Sequence, residues 1–479
     1  MPSDPRRWMA LAVVCAAFFM TILDVSIVNV ALPSIGRSLH FSRDNLQWVI
    51  TAYAITYGGF LLLAGRLADL FGRRRVFVVG LVVFTIASLF CGLAWSEAVL
   101  IAFRAIQGFG AAVITPSALS IVMTTFEEGA ERNKALGIWG ALGGGGAAVG
   151  VLAGGILTKY LGWEWIFYVN VPVGALVLVL TPRFVRESRA ERETSQDLGG
   201  AITVTAGLAL LVYAVSKAPD YGWSSGRTLG TLAGVIVLLL AFLAIEARHK
   251  DPLMPFRIFR IQTVAGANFA GLLLGGIIFA NFFLLTQYVQ EVLHYSALRA
   301  GITFAVTAGS AIAWAGVAQG LTTRFGAKPV LAAGFVTMIA ANVLYTQIPT
   351  HGSFASALLP AYLVMGFAIP FAFIPISIAA LAGVSHDEAG LASGLINTAQ
   401  QIGGAVGIAI ASSVSVSRFN HLIAAHGKSY FPQAFTSGTA LAFWVLVGIS
   451  VAAFVAGLVL IRREELATAE TQGSPAISA

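Results

Sequence analysis

Apolar runs of about twenty residues recur along almost the whole chain, and short loops between them hold most of the charged residues. A helix needs about that many apolar residues to cross the hydrocarbon core of a bilayer. Charged residues make up 11% of this chain, whereas soluble proteins average about 25%. The pattern therefore predicts an all-α polytopic membrane protein and excludes a separate soluble domain.

The apolar runs predict about fourteen transmembrane helices. They lie near residues 8–32, 46–65, 76–95, 98–123, 135–158, 165–182, 198–216, 228–247, 263–289, 300–320, 329–347, 355–381, 392–415 and 439–461. Twenty of the 29 Lys and Arg residues fall in loops on the side of the N-terminus, and eight fall on the opposite side. Because Lys and Arg accumulate in cytoplasmic loops, we expect both termini in the cytoplasm and the helices in the inner (plasma) membrane. The net charge of +7 is assigned to these inner loops, and no nucleic-acid partner is expected.

One short loop sequence occurs twice. Residues 67–76 (LADLFGRRRV) return loosely as residues 321–330 (LTTRFGAKPV), each time after the second helix of a six-helix half. Related halves are typical of secondary transporters, which bind substrate at the interface between the halves. The predicted parts are a six-helix bundle (1–185), two inserted helices with flanking loops (186–261), a second six-helix bundle (262–463) and a disordered tail (464–479).

Asp24 is the only acidic residue of the first apolar run. A carboxylate at membrane depth costs about 3 kcal/mol or more, and such residues usually mark a transport pathway. Burial penalises the charged form of a carboxyl group, so Asp24 is a candidate proton carrier. The alternative is a permanently ionised acid that pairs with a buried base and holds helices together.

The loop at residues 65–75 (GRLADLFGRRR) has an ordered spacing of glycines, an acid and bases. Gly65 and Gly72 allow a tight turn between helices, and one helical turn would bring Asp69 and Arg73 into contact. The loop resembles the signature between the second and third helices of the major facilitator superfamily. The resemblance implies that Asp69 and Arg73 act as a conformational latch between the halves.

Further stretches resemble motifs of the fourteen-span drug:proton antiporters of that superfamily. Residues 24–33 resemble the first-helix motif, and residues 104–112 (RAIQGFGAA) resemble the fourth-helix motif. Residues 163–174 resemble the opening of the sixth helix, with Glu164 in place of the usual arginine. Residues 389–404 also look like this family, so the resemblance covers nearly the whole chain.

The resemblance implies that Arg104 takes part in proton coupling, as the fourth-helix arginine does in that family. It also places the first and fourth helices on one central cavity. If Arg104 and Asp24 lie close together, proton binding to Asp24 would free Arg104 for another partner. A static ion pair that orders two helices is the alternative.

Residues 146–155 (GAAVGVLAGG) resemble the fifth-helix motif associated with antiport, with Val151 where the family has proline. The glycines of this stretch are Gly146, Gly150, Gly154 and Gly155. They supply either a flexible hinge or a small-residue stripe for close helix packing. Both interpretations stay open from the sequence.

Aromatic and amide side chains within the predicted spans are candidates for a broad, mostly apolar substrate cavity. They are Asn29, Trp48, Tyr53, Tyr57, Gln107, Asn281, Phe283, Gln287, Phe371, Phe373, Asn397 and Gln401. Each of them alone fits helix packing or lipid contact at least as well. The second half has no acid in mid-span, which favours neutral, amphiphilic or monocationic substrates over divalent cations.

No His or Cys residues have metal-ligand spacing, and no Gly-x-x-x-x-Gly-Lys-Ser/Thr loop is present, so no metal or nucleotide cofactor is expected. Residues 187–193 alternate between glutamate and arginine and are expected to form a solvated face. We predict a monomeric exporter, not an enzyme, that lies in lipid and moves small hydrophobic or amphiphilic drugs or metabolites by alternating access, driven by the proton gradient. The alternatives are a dedicated exporter of one solute, such as a sugar or the producer's own antibiotic, and a membrane receptor that binds ligand without transport.

Overall fold

The computed structural model describes residues 6–42, 45–126, 130–188, 197–250, 252, 254, 256–384 and 389–461, and all regular structure in these ranges is helical. The first unit of the chain contains α1 (Arg7–Ser38), α2 (Trp48–Phe71), α3 (Arg73–Gly92), α4 (Glu97–Thr125), α5 (Ala130–Tyr160), α6 (Trp165–Tyr168), α7 (Asn170–Phe184), α8 (Leu198–Tyr221) and α9 (Gly226–Arg248). The later helices are α10 (Gln262–Glu291), α11 (Ala297–Phe325), α12 (Ala327–Tyr345), α13 (Phe354–Ala357), α14 (Leu359–Ala379), α15 (Ala389–His426) and α16 (Phe431–Leu460).

Twelve of the helices in the described ranges are long and apolar enough to cross a membrane, with α6 and α7 together forming one of them. In α2 and α5, parts of which lie outside the described residues, the apolar stretches among the described residues are Trp48–Leu61 and Val149–Tyr160. An apolar helix satisfies its own backbone hydrogen bonds, which is why helices are suited to a bilayer. The prediction of an all-helical, multi-span membrane protein is confirmed.

The chain forms two compact units. The first contains Met1–Leu253 and Phe282–Ala305, and the second contains Met254–Asn281 and Val306–Ala479. The predicted inserted pair, α8 and α9, therefore belongs to the first unit, where α8 packs on α2. Gln47 Nε2 donates a hydrogen bond of 2.6 Å to Ser216 Oγ. The predicted tail at residues 464–479 lies outside the described residues.

Two differences between the predicted and the observed helices involve proline. The first helix does not close at Pro33 but continues to Ser38. A proline removes one backbone donor, and the turns on either side of Pro33 keep theirs. The sixth span divides into α6 and α7 at Val169. Pro172 lies in the first turn of α7, where backbone N–H groups have no acceptor within the helix, so the new helix accommodates it.

Glycines bring α4 close to its neighbours in the first unit. Gly108 lies directly against the backbone of Tyr53 on α2, and a Cβ at Gly110 would lie 2.7 Å from the backbone nitrogen of Phe84 on α3. Neither position has room for a side chain. This close approach brings the side chain of Arg104, one turn before Gly108, within reach of α2.

Candidate functional site

A closed ion pair lies in the interior of the first unit. Arg104 Nη1 on α4 is 2.6 Å from Asp24 Oδ2 on α1. The side chain of Asp24 is 0% exposed and that of Arg104 is 1% exposed. The structure therefore brings together the two residues that the sequence assigns to proton coupling.

Two amides complete the hydrogen bonds of the Asp24 carboxylate. Asp24 Oδ1 accepts a 2.9 Å bond from Gln107 Nε2 and a 3.0 Å bond from Asn170 Nδ2. The carboxylate thus has three donors, two from α4 and one from α7. A buried polar atom without a partner is costly, and these three donors satisfy both carboxylate oxygens.

Arg104 is held by groups other than Asp24 as well. Its Nε donates to the Val49 carbonyl on α2 at 2.9 Å, and its Nη1 donates to Gln107 Oε1 at 2.7 Å. The guanidinium carbon lies 4.4 Å from the centre of the Tyr53 ring and 5.7 Å from that of Phe167. These contacts compensate the buried positive charge by hydrogen bonds and by the faces of aromatic rings.

Asn170 connects the ion pair to the break in the sixth span. It is the first residue of α7, and its Nδ2 also lies 3.1 Å from Ser88 Oγ on α3. Ser88 Oγ in turn donates to the carbonyl of Phe167 on α6 at 2.9 Å. The hydrogen-bond chain therefore runs from α1 through α7 and α3 to α6.

The sequence interpretation does not assign a role to Asn170 or Ser88. A signal is available for Asn170, since it is an amide inside an apolar span and falls within the stretch that resembles the sixth-helix motif. Ser88 carries no comparable signal. Gln107, proposed from the sequence as a substrate contact, has its amide engaged by Asp24, Arg104 and the Cys91 thiol at 3.5 Å.

The loop between α2 and α3 has a different geometry from the single helical turn expected. Gly72 adopts a φ of 102° between the two helices, which separates Asp69 from Arg73. The side chain of Asp69 lies outside the described residues. The backbone N–H of Arg73 donates to the Ser188 carbonyl at 2.9 Å. Gly65 packs near Pro116 of α4.

Glu187 is exposed, as expected of a solvated face, and it also binds the N-terminus of α3. Its carboxylate accepts hydrogen bonds from the backbone N–H groups of Arg74 at 3.0 Å and Arg75 at 3.2 Å. An acidic group at this end of a helix is favoured by the unsatisfied N–H groups and the helix dipole. The segment after α7 is thus attached to the α2–α3 loop, whereas residues 189–193 lie outside the described residues.

The glycine stripe of α5 faces α1. A Cβ at Gly146 would lie 3.0 Å from Ile22 Cγ2, one at Gly150 would overlap Ser26 Oγ, and one at Gly154 would lie 2.7 Å from the Ile27 carbonyl oxygen. These three positions let two helix backbones approach closely, as small residues do in membranes.

The end of the stripe packs on α11 within the same unit. A Cβ at Gly155 would lie 2.7 Å from the Cα of Leu298, and one at Gly301 would lie 2.7 Å from the Val151 carbonyl oxygen. Val151, which stands where the family has proline, is buried at this contact.

The remaining substrate candidates of the first unit are dispersed along its helices. Tyr53 and Tyr57 stack at 5.9 Å between ring centres. Asn29 Nδ2 donates to the carbonyl of Val25 in its own helix. Trp48 is half-buried, Phe283 is buried, and Gln287 Oε1 has no hydrogen-bond partner among the described residues.

In the second unit, Phe371 stacks on Phe367 at 4.1 Å. Asn397 is exposed, and its Nδ2 donates to the Ser393 carbonyl at 2.9 Å. Phe373 is also exposed. Gln401 Oε1 is buried without a partner in the described ranges, and Asn281 contacts Asn342 of α12. No group of three or more metal-ligating side chains lies close together in the described part of the chain.

Membrane-length helices and a buried acid–base pair together indicate a polytopic membrane protein with a charged interior site. The family model of the Major Facilitator Superfamily matches residues 14–408, and the chain belongs to this family. The resemblance drawn from the loop at residues 65–75 is therefore confirmed at superfamily level, and the protein is a small-molecule transporter rather than an enzyme.

Several named proteins are similar to the chain. It is 39% identical over 461 residues to the puromycin resistance protein pur8 of Streptomyces alboniger, covering 95% of this chain and 91% of that protein. It is 39% identical over 410 residues to the cephamycin export protein CmcT of Amycolatopsis lactamdurans, covering 85% of this chain and 84% of that protein.

A solved structure has the same fold. It is a bacterial homologue of the human lysosomal transporter Spinster, in an inward-facing and unoccupied conformation. The TM-score is 0.70, the sequence identity is 18%, and the alignment covers 99% of this chain and 100% of that chain.

Proposed function

We propose that this transporter exports small hydrophobic or amphiphilic compounds, antibiotics among them, in exchange for protons. The observation that carries the proposal is the Asp24 carboxylate, which is fully buried, paired with Arg104 and bonded by two amides. The similarity to an antibiotic resistance protein and an antibiotic export protein supports export as the direction of transport.

In the proposed cycle, one proton moves between the outside and the inside on Asp24. When the carboxylate takes up a proton, it loses its charge and its strong attraction for Arg104, which keeps its own proton throughout. Arg104 retains the Val49 carbonyl and Gln107 as acceptors. The site therefore has two electrostatic states, and the helices that carry its members would repack between them as substrate leaves.

The transport direction requires a defined topology. We assign a membrane crossing to α2 and α5 in addition to the twelve clear candidates, which gives the fourteen spans predicted from the sequence. Both termini would then lie in the cytoplasm, and the four predicted parts of the chain would act as two bundles with an inserted pair and a tail. We retain the predictions of a monomer in the plasma membrane and of a latch formed by Asp69 and Arg73.

The acids of the structure favour substrates with at most one positive charge. Two other acids are buried in the described ranges, Asp197 at the start of α8 and Glu246 near the end of α9. Among these described residues, Asp24 is therefore the one buried acid in the middle of a helix. A divalent cation would need more negative charge than one carboxylate that is already paired with Arg104. Neutral, amphiphilic and monocationic compounds do not need this additional negative charge.

The test is transport in inverted membrane vesicles that contain the wild-type protein. A panel of lipophilic dyes and antibiotics is added while a proton gradient, acid inside, is imposed, and vesicles without the protein are the control. Accumulation of several compounds that stops when an ionophore collapses the gradient supports the proposal. Transport of a single compound would narrow the function to a dedicated exporter, and binding without accumulation would refute export.

A further inference from the structure

A buried polar triad crosses three helices of the second unit. Asn281 Nδ2 on α10 donates to Asn342 Oδ1 on α12 at 3.1 Å, and Asn342 Nδ2 donates to Ser450 Oγ on α16 at 3.1 Å. Ser450 Oγ donates to the Leu446 carbonyl at 2.7 Å. The side chains of Asn342 and Ser450 are fully buried, and Asn281 is 4% exposed.

The hydrogen bonds fix which way the Asn281 amide points. Its Nδ2 also lies 2.9 Å from the carbonyl oxygen of Ile277, which can only accept a hydrogen bond. The amide nitrogen must therefore face this carbonyl, and the amide oxygen must face away from it. Oδ1 is buried and has no hydrogen-bond partner among the residues that the structure describes. A buried acceptor without a donor is costly, so Oδ1 is suited to a donor from a bound molecule.

The triad and the ion-pair site share one spacing along the chain. Ser88 and Asn342 each lie sixteen residues beyond the glycine that precedes their helix, Gly72 and Gly326 respectively. In the first unit, Ser88 is linked to Asp24 of α1 through an amide. In the second unit, Asn342 is linked directly to Asn281 of α10. The hydrogen bonds of the second unit thus lead to a neutral amide, whereas those of the first unit lead to a carboxylate.

We infer that Asn281 Oδ1 is a substrate-recognition group that accepts a hydrogen bond from an N–H or O–H group of the exported compound. The inference rests on the proposed export function and names the class of compound: amphiphiles, neutral or singly charged, with an unhindered donor. An amide oxygen neither titrates nor carries a full charge, so it would select for the donor without trapping a cation. The Ile277 carbonyl and Asn342 Oδ1 would hold the Asn281 amide nitrogen without contacting the compound.

The experiment compares two dyes of the same charge, one with hydrogen-bond donors and one without. One is a rhodamine methyl ester with free N–H groups, and the other is its tetra-N-methyl analogue, which has the same charge and no N–H donor. Proton-driven accumulation of both dyes is measured in inverted vesicles with wild-type protein and with Asn281→Leu, which replaces the amide by an apolar side chain with the same number of heavy atoms. We expect the variant to lose about tenfold in transport of the N–H dye and to keep transport of the methylated dye, so the ratio between them changes about tenfold.

Ser450→Ala is the matched control, because it removes a hydroxyl from the same triad and leaves Asn281 Oδ1 in place. Its dye ratio should remain near that of the wild type. An equal change in the ratio for both variants, or an equal loss of both dyes in Asn281→Leu and again in Asn281→Ala, would show a structural role and overturn the inference. An unchanged ratio in Asn281→Leu would mean that water or nothing binds Oδ1, which also overturns it. If the wild-type protein accumulates neither dye, export of this class of compound is itself refuted.

Discussion

Removing the charge of Asp24 should destabilise the protein as well as abolish proton coupling. In Asp24→Asn, Arg104 keeps its positive charge at a position with 1% exposure, while its charged partner at 2.6 Å becomes a neutral amide. Breaking a buried ion pair from one side costs about 3–5 kcal/mol, mostly because the remaining charge is left uncompensated. Arg104→Gln should cost a similar amount, since it leaves a buried carboxylate with only two neutral donors.

The double variant separates the loss of stability from the loss of proton coupling. With both Asp24→Asn and Arg104→Gln in place, no charge of this pair remains, so the loss of stability should be smaller than the sum of the two single losses by on the order of 3 kcal/mol. The free energy of unfolding is measured by SDS titration in mixed micelles for all four proteins. Transport is measured in parallel and should stay uncoupled from protons in the double variant, because the carboxyl group is absent.

Additive losses in that cycle would contradict the reasoning. They would mean that the two charges do not compensate each other, despite the short distance between them. Recovery of proton-coupled transport in the double variant would also contradict the reasoning, because it would show that the proton moves without Asp24.

Three further predictions test other parts of the structure. Gly150→Ala should lower the free energy of unfolding by about 1–3 kcal/mol in the same assay, because the added Cβ would overlap Ser26 Oγ. Gly230→Ala is the control and should be nearly neutral, because the space around Gly230 is open. Asn170→Leu removes one of the three donors to the buried Asp24 carboxylate, so it should lower the free energy of unfolding by about 1–3 kcal/mol in the same assay, and an unchanged stability would exclude this contribution. Glu187→Gln should lower the stability by about 1 kcal/mol or less, because the side chain is 27% exposed and a neutral amide can still accept the backbone hydrogen bonds. A larger loss of stability in thermal unfolding would contradict this prediction.

The class of fold follows from the sequence because apolar runs of membrane length constrain a chain to few structures. Charged groups in such runs are rare, so Asp24 and Arg104 stand out in the sequence alone. Their mutual contact is only a hypothesis at that level, since it depends on how α1 and α4 pack. The structure places the two residues in hydrogen-bond contact across 80 positions of sequence.

The amides of the site are harder to predict. An asparagine or glutamine in an apolar helix is compatible with substrate contact, helix packing and support of a charged group, and only the distances distinguish these roles. The sequence interpretation groups Gln107 with the substrate candidates, whereas the structure places its amide in the ion-pair site. The same interpretation includes Asn170 in a motif but assigns it no role, although its amide donates to Asp24. Glu187 is expected in a solvated loop because its neighbours alternate in charge, and its contact with α3 depends on where α7 ends.

Helix boundaries show the limits of composition as a guide. The apolar pattern ends the first helix near Pro33, yet the helix continues beyond it to Ser38. The spacing around Gly72 predicts a compact turn, and the positive φ of this glycine separates the two residues of the predicted latch onto different helices. In both cases the deciding factor is backbone geometry at one residue, which a hydropathy pattern does not contain.

The central claim is that Asp24 carries the proton that drives export. The most direct measurement is proton movement in proteoliposomes during substrate addition, with wild-type protein beside Asp24→Asn and with a pH-sensitive dye trapped inside. The account predicts that substrate moves protons through the wild-type protein and moves none through the variant, even where the variant still binds substrate. Full proton coupling in Asp24→Asn would contradict the account, and the ion pair would then be a structural element of the first unit.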